Sequence, residues 1–291
     1  MLLPGRLELT IGAGRYERSA DNPHTGSAER GLTHYVPVEA TLGVVDDLAL
    51  RVGAAWFDSR LTTDGQAKGD PRTGPGDLSV RALVTARPGE GDEGPVRVRL
   101  SAGVSLPTGN VRNQVSDNLN FSSGSTDALA GLEVGWSVGG QAQVYAGADL
   151  RTVLALPREE LRAGSSLLAR VGVRGTLAGG SLGLGLGVAH QRRTPDDQPA
   201  GADHHDDAGD PGHHGRELVE SSGGDWTYLE PALSWRFSDA LSGLSVWLSG
   251  RIPLTQSPEA GHHEFQLEDD TMGAVGLAWS FEAWEHEHAG P

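Results

Sequence analysis

Residues 96–106, VRVRLSAGVSL, alternate apolar and polar side chains along their whole length. The apolar series runs from Val96 to Leu106, and the polar series runs from Arg97 to Ser105. Successive side chains of a β-strand point to opposite faces, so a period of two places one face in an apolar medium and the other in a polar one. This segment therefore predicts a strand that separates two different environments.

The same alternation recurs along the rest of the chain. It predicts strands over residues 6–16, 33–45, 48–57, 77–86, 96–106, 127–138, 141–152, 166–177, 181–191, 226–237, 243–252 and 271–281. The polar faces of all these strands must reach water, and a closed barrel in a bilayer, apolar outside and polar inside, meets that requirement. We therefore predict an all-β fold, a closed antiparallel transmembrane β-barrel of about 12 strands over residues 1–281, followed by a polar C-terminal tail over residues 282–291.

The connections between these strands alternate in length. The short connections are residues 45–47, 87–95, 139–140, 178–180 and 238–240. The long connections are residues 17–32, 58–76, 107–126, 153–165, 192–225 and 253–270. Outer-membrane barrels have short periplasmic turns and longer extracellular loops, so this alternation places the long loops outside and both termini in the periplasm.

The composition excludes several other classes of protein. The hydrophobic fraction is 37%, and no apolar run approaches the length of about 18 residues that a membrane-spanning helix needs. The chain has no cysteine, so it carries no disulfide framework, thiolate metal site or cysteine nucleophile. A net charge of −16 argues against nucleic acid as a partner, because its phosphates would be repelled. A soluble β-sandwich or lipocalin-like barrel is the structural alternative, although such cores usually carry more large aliphatic and aromatic side chains.

The start of the chain shows no signal-peptide pattern. Residues 1–5, MLLPG, lead almost directly into the first predicted strand, without a basic segment or an apolar segment of the usual length. Because the barrel prediction implies a bacterial outer membrane, we expect either that a signal peptide has already been removed and a Met added, or that the start of the chain is misplaced. The expected partners are outer-membrane lipid and a small-molecule solute, and we expect the protein to be a monomer.

Two short motifs frame one of the predicted hairpins. Residues 74–81 read GPGDLSVR, and residues 100–109 read LSAGVSLPTG. Together they resemble the paired signature of the outer-membrane family labelled "MetA-pathway of phenol degradation", in which Gly-x-Gly-Asp opens one strand and Pro-Thr-Gly closes the next. The resemblance implies an outer-membrane barrel that passes small, often aromatic or hydrophobic, compounds, and it brings no set of catalytic residues with it.

The same motif residues have a simple local interpretation. Gly76 and Gly109 permit turn geometry at the loop boundaries, and Pro107 can end a strand because it donates no backbone hydrogen bond. Asp77 is expected either to cap the loop or to bind an inward arginine.

Charged residues on the inward faces are the candidate selectivity residues. They are Arg51, Arg81, Arg97, Arg99, Arg151, Arg170, Arg174, Arg236 and Arg251, together with Glu8, Glu39, Glu133, Asp149 and Glu230. An unpaired charge in a confined lumen is costly, so the first expectation is a set of salt bridges, with solute recognition as the alternative role. The excess of arginine predicts a lumen more basic than the whole protein. Inward glycines such as Gly183, Gly185 and Gly187 are expected to keep that lumen open.

The histidines of the long loops are the candidate metal ligands. They are His204, His205, His213 and His214 in the loop 192–225, and His262 and His263 in the loop 253–270. Neutral imidazoles beside carboxylates suit Zn, Ni or Cu(II), but no spacing matches a defined closed site. We expect no required cofactor and a solvated acidic loop with weak metal binding, and capture or sensing of a divalent cation is the alternative. These loops also argue against a purely hydrophobic solute.

The functional prediction is a passive outer-membrane channel or uptake porin for small molecules, including hydrophobic or aromatic solutes. The first alternative is a non-conducting surface barrel that buffers or senses metal or acts in adhesion. An outer-membrane lipid hydrolase is the second alternative, but His34 and His190 are the only histidines in predicted strands and no Gly-x-Ser-x-Gly motif is present. We therefore predict that the protein is not an enzyme.

Overall fold

The computed structural model describes most of the chain. The described residues are 4–21, 28–67, 71–88, 95–109, 125–155, 164–199, 216–219, 223–238, 241–258, 268–269 and 271–282. The strands within them are β1 (Arg6–Asp21), β2 (Ala28–Val45), β3 (Leu48–Thr63), β4 (Gln66–Ala67), β5 (Arg72–Pro75), β6 (Leu78–Ala86), β7 (Val96–Leu106), β8 (Thr126–Val138), β9 (Ala142–Ala155), β10 (Ser166–Leu177), β11 (Leu182–Arg193), β12 (Asp196–Pro199), β13 (Arg216–Val219), β14 (Gly224–Arg236), β15 (Leu244–Pro258), β16 (Glu268–Asp269) and β17 (Met272–Glu282). A 3₁₀ turn, Ala178–Gly180, joins β10 to β11.

The long strands close into a ring. Their order is β1-β17-β15-β14-β11-β10-β9-β8-β7-β6-β3-β2, and β1 pairs with β2 as well as with β17. Every neighbouring pair is antiparallel, and the result is a closed 12-stranded barrel. The predicted fold class is therefore confirmed, and the soluble sandwich is excluded because a sandwich does not close. No helix in the described part of the chain is long and apolar enough to cross a membrane.

The register of the strand pairs assigns each side chain to a face. In the β7–β8 pair, Leu100 lies opposite Leu132 and Arg99 lies opposite Glu133. Leu100 is 51% exposed and Leu132 is 47% exposed, so the apolar face is the outer surface of the barrel. Exposed Leu and Val side chains of this kind recur on strand after strand and form the apolar band of a membrane barrel.

Tryptophans mark the edges of this band. Trp136, Trp235 and Trp279 are exposed near the turn-side ends of their strands, and the ring of Trp279 lies 5.5 Å from that of Phe281 between centroids. Trp56 is exposed on the loop side of β3. Amphipathic indole rings are enriched at the level of the lipid headgroups, so these positions indicate the two membrane interfaces.

The predicted connections at 45–47 and 139–140 are short, whereas residues 237–243 separate β14 from β15, a longer connection than the predicted 238–240. Asp46 and Asp47 alone separate β2 from β3, and Asp47 has a φ of 65°. Gly139 and Gly140 follow β8 with φ values of 63° and 77°. Positive φ at both central residues is typical of hairpin turns whose twist matches that of the strands, and glycine adopts it without strain.

Several strands extend further into the loop side than the alternation predicted. β1 continues to Asp21 and β2 begins at Ala28, so most of the predicted loop 17–32 is strand. β3 continues to Thr63, and both β4 and β5 pair with it inside the predicted loop 58–76. These extensions have polar residues on both faces, and backbone pairing continues there in water without an apolar stripe. The predicted boundaries were wrong for that reason.

Two further strand assignments were also missed. β15 continues to Pro258, six residues beyond its predicted end at 252. β12 and β13 form a separate two-stranded sheet inside the predicted loop 192–225. The last strand of the barrel ends at Glu282, and the predicted tail beyond it lies outside the described residues.

Candidate functional site

The inner wall carries a group of charged side chains on seven consecutive strands of the ring. We name this group the charged arc; it consists of Glu39 on β2, Arg51 on β3, Arg81 on β6, Arg97 and Arg99 on β7, Glu133 on β8, Asp149 on β9, and Arg170 and Arg174 on β10. On each strand these residues alternate with the apolar residues of the outer face. The strand pairing therefore places their side chains on the inner face of the barrel. The sequence prediction of an inward charged set is thus consistent with the geometry.

Two carboxylates in the charged arc each bind two arginines. Asp149 accepts from Arg170 and lies 3.4 Å from the Nη1 atom of Arg81. Glu133 lies 2.8 Å from the Nη2 atom of Arg174 and 4.0 Å from the Nη1 atom of Arg99, measured to Oε1. Each group of one carboxylate and two arginines therefore keeps a net positive charge.

The remaining members of the charged arc add to this excess. Arg51 pairs with Glu39 at 3.2 Å and donates to Thr41. Arg97 has no carboxylate within salt-bridge distance among the described residues, and its charge acts on Arg99 together with those of Arg51 and Arg174. Six arginines thus share three carboxylates in this part of the wall, so the charged arc is electropositive.

Water reaches the charged arc. The side chains that form its ion pairs are between 26% (Glu133) and 39% (Arg174) exposed, although all of them point into the barrel. In a packed interior these groups would be buried. Their exposure shows open space inside the barrel along this wall, wide enough to admit water.

The loop-side end of the interior is packed more closely. Asp127 and Tyr228 face inward near that end, and each is only 1% exposed. On the opposite part of the wall the Thr33 and Ser59 hydroxyls share a buried hydrogen bond of 2.7 Å. The interior therefore narrows towards the loops, and the hydrated part lies along the charged arc.

The two motifs that frame the β6–β7 hairpin meet at this narrow end. The Thr108 hydroxyl accepts a hydrogen bond from the Leu78 amide at 2.9 Å and donates to the Gly76 carbonyl at 3.3 Å. The Gly109 amide donates to Asp77 at 3.4 Å. The hydrogen bonds between the two motifs thus connect the end of β7 to the start of β6. Neither Gly76 nor Gly109 has a positive φ, so the expected turn role is not the reason for these glycines.

Asp77 also binds an inward arginine, so both of the roles considered for it are present. Arg151 lies 3.5 Å from Asp77 and 2.5 Å from Asp127, and the Ser125 hydroxyl donates to Asp127 at 2.5 Å. These residues come from the loop-side ends of β6, β8 and β9. We call Asp77, Ser125, Asp127 and Arg151 the loop-side cluster.

The glycines on the inner wall do not simply leave empty space. A Cβ atom at either Gly172 or Gly187 would lie 2.7 Å from the Tyr145 hydroxyl, so this side chain crosses both glycines and lies along the wall. Likewise, a Cβ atom at Gly183 would meet the Ser234 hydroxyl, whereas Gly185 faces only Ala232 closely. The expected clearance is therefore indirect: glycines accept neighbouring side chains against the wall and keep them out of the centre.

The other predicted lumen residues have separate positions. Arg251 donates to Glu230 at 2.7 Å on β15 and β14 and lies over the ring of Tyr228. Arg236 is exposed at the turn-side end of β14, and within the described residues neither it nor Glu8 forms a salt bridge. The structure does not bring these residues into the charged arc.

Several inward residues escaped the sequence prediction although their signal was present. Asp127 has the parity of Glu133 on β8, and Tyr145 has the parity of Asp149 on β9. Trp247 has the parity of Arg251 on the polar face of β15. Tyr145 and Trp247 are uncharged, so a pattern of charged residues does not include them.

The predicted metal ligands His204, His205, His213, His214, His262 and His263 lie outside the described residues. Within the described part of the chain, no group of three or more histidine or acidic residues is placed to hold a metal ion. The described His190 binds Thr227 at 3.1 Å and lies 3.5 Å from Asp225 on the exposed surface.

Comparison with known proteins identifies the architecture. The sequence matches no protein-family model and no curated protein. Among solved structures, the COG4313 outer membrane channel from Pseudomonas putida F1 is similar over 97% of this chain and 97% of its own, with a TM-score of 0.64 and 14% identity. The fold is that of an outer-membrane β-barrel. The transport unit of the autotransporter AIDA-I from Escherichia coli is also similar, over 94% of this chain and 90% of its own, with a TM-score of 0.50 and 14% identity.

Proposed function

We propose that this protein is an outer-membrane channel through which small solutes diffuse passively, with a preference for anions. The observation that carries the proposal is the water-exposed, electropositive charged arc inside a closed barrel. Confined positive charge raises the local concentration of anions and lowers that of cations. A barrel of this kind encloses its own lumen, so one chain is sufficient for the function.

The solute class follows from size, charge and resemblance. The buried side chains at the loop-side end, such as Asp127 and Tyr228, favour small molecules. The resemblance of the motifs at residues 74–81 and 100–109 to the phenol-degradation family extends the proposal to small aromatic compounds. A structurally similar protein from Pseudomonas putida is itself described as an outer membrane channel, which supports conduction rather than a purely structural barrel.

Conductance in planar lipid bilayers tests this function. The purified protein, reconstituted across a gradient of KCl, is expected to carry a small current whose reversal potential shows chloride preference. Salt should weaken the influence of exposed acidic residues at the mouth more than that of the lumen arginines. A reconstituted barrel that carries no current would refute the channel proposal, and a cation preference would refute the anion part of it.

Orientation in the membrane can be tested with two matched cysteine variants. Gln66 is exposed on the loop side, and Gln141 is exposed beside the Gly139–Gly140 turn. On intact cells, a bulky impermeant maleimide is expected to label Gln66→Cys and to leave Gln141→Cys unlabelled, because the turns face the periplasm. The chain has no cysteine of its own, so the background is clean.

Permeabilised cells provide the control for this labelling experiment, since both cysteines should then react. The opposite pattern on intact cells, with Gln141→Cys labelled and Gln66→Cys protected, would invert the proposed topology.

A further inference from the structure

Trp247 covers a neutral part of the inner wall. It projects inward from β15, where the register places it opposite Gly276 on β17. A Cβ atom at Gly276 would lie 2.6 Å from the Cζ2 atom of Trp247, and a Cβ atom at Gly12 on β1 would lie 2.9 Å from the same atom. The indole therefore crosses β17, reaches β1 and lies along the wall, where it remains partly exposed.

The inward positions that flank it on β15 and β17 are small and uncharged. Ser245 and Ser249 flank Trp247 on β15, and Ala274 and Ala278 flank Gly276 on β17. On the neighbouring β14, Ser234 lies opposite Trp247, and the nearest inward charge on that strand is Arg236, opposite Ser245. This wall therefore offers a flat apolar surface of the kind on which rings stack.

The part of the charged arc on β7, β8 and β10 lies across the barrel from this surface. In the ring of strands, β17 and β8 are separated by equal numbers of strands on both sides, so they are opposite. Trp247, Arg99 and Arg174 each lie three residues from the turn-side end of their strands, which are Leu244, Val96 and Leu177. The indole and the two arginines that share Glu133 are therefore at a similar depth.

We infer that this level of the lumen is a binding site for a small organic carboxylate that carries a flat apolar ring. The carboxylate binds the guanidinium groups of Arg99 and Arg174, and the ring packs against Trp247. This inference rests on the proposed channel function and names the solute class for it. A neutral hydrocarbon would leave the arginines unused, and an inorganic anion would leave the indole unused.

The dimensions of the barrel favour a solute in which ring and acid are separated. Twelve strands spaced by about 4.8 Å and tilted by about 40° enclose a backbone diameter of about 24 Å. Arginine side chains on one wall and the flat indole on the other shorten this gap. The remaining space suits a ring joined to a carboxylate by a short linker better than a compact anion.

Current block in planar bilayers provides the test, with 3-phenylpropionate as the ring-bearing probe and propionate as the ringless probe. The wild-type channel should be blocked at a lower concentration by 3-phenylpropionate than by propionate. Trp247→Ala should raise the half-blocking concentration of 3-phenylpropionate about fivefold, because a ring-stacking contact is lost. It should leave the value for propionate unchanged.

Two further variants separate ring binding from carboxylate binding and from folding. Trp247→Phe keeps an aromatic surface and should retain most of the discrimination. Arg174→Gln should weaken block by both probes, because both carry a carboxylate. Trp235→Ala is the matched control, because Trp235 is an exposed tryptophan on the outer face of the neighbouring strand and should change neither value.

The outcomes distinguish this inference from the channel proposal. A conducting Trp247→Ala channel with unchanged block by 3-phenylpropionate would overturn the ring site and leave the channel proposal intact. Equal block by the two probes in the wild type would do the same. A wild-type barrel without current would instead refute the channel proposal on which the inference rests.

Discussion

Replacing Arg97 and Arg99 by Gln is expected to remove most of the anion preference of the reconstituted channel. These side chains are adjacent on the inward face of β7, and together they contribute two of the six positive charges of the charged arc. Lowering the lumen potential by about one kT changes the ratio of anions to cations about sevenfold, because each ion responds by a factor of e in the opposite direction. Reversal potentials across a KCl gradient measure this ratio.

Arg97→Gln alone is the cleaner variant of this experiment. Arg97 has no described carboxylate partner, so its loss breaks no described ion pair, whereas the loss of Arg99 also removes a contact of Glu133. Arg192→Gln is the matched control, because Arg192 is an exposed arginine on the outer face of β11. An unchanged reversal potential in the double variant would show that the charges of the arc are fully neutralised.

Asp127→Ala is expected to lower the free energy of unfolding by about 2–3 kcal/mol. The Asp127 carboxylate is 1% exposed and accepts hydrogen bonds from Arg151 and Ser125, so its removal leaves two polar groups without their buried acceptor. The cost is smaller than that of breaking a fully buried ion pair, since Arg151 is 38% exposed and can be solvated. Urea unfolding in lipid vesicles, followed by tryptophan fluorescence, measures the change.

Two comparisons establish whether the ion pair causes this loss. Asp225→Ala removes an exposed carboxylate that lies 3.5 Å from His190, and it should change stability by less than about 0.5 kcal/mol. The double variant Asp127→Ala with Arg151→Met should cost less than the sum of the two single variants, because it removes the unpaired charge. Equal losses for Asp127→Ala and Asp225→Ala would mean that the loop-side cluster contributes nothing beyond a surface pair.

The elements predicted best are those that neighbouring residues encode. Leu100 and Arg99 differ in polarity because they face lipid and lumen, and this contrast identifies the strand without knowledge of its partners. The Gly139–Gly140 turn is likewise readable, since consecutive positive φ values favour glycine. The extension of β3 to Thr63 was not readable, because beyond the lipid both faces meet water and the contrast disappears.

The candidate site was predicted only as a set of residues that share a face. Arg81 and Asp149 lie on β6 and β9, which are separated in the ring by β7 and β8, and their contact depends on the closure and tilt of the barrel. The alternation of polar and apolar residues along one strand does not contain that information. The position of the Trp247 indole depends on Gly12 and Gly276, which lie near opposite ends of the chain. The surface that the indole covers therefore forms only when the barrel closes.

The pairing of β1 with β17 also constrains how this molecule can assemble. The seam joins the first strand to the last, so the ring is incomplete until the final strand has been delivered. Before that moment β1 and β15 both expose unpaired backbone groups, which lipid cannot satisfy. Insertion into lipid and closure of the ring are therefore expected to be coupled, because a polypeptide interrupted before β17 would leave the edges of β1 and β15 unpaired.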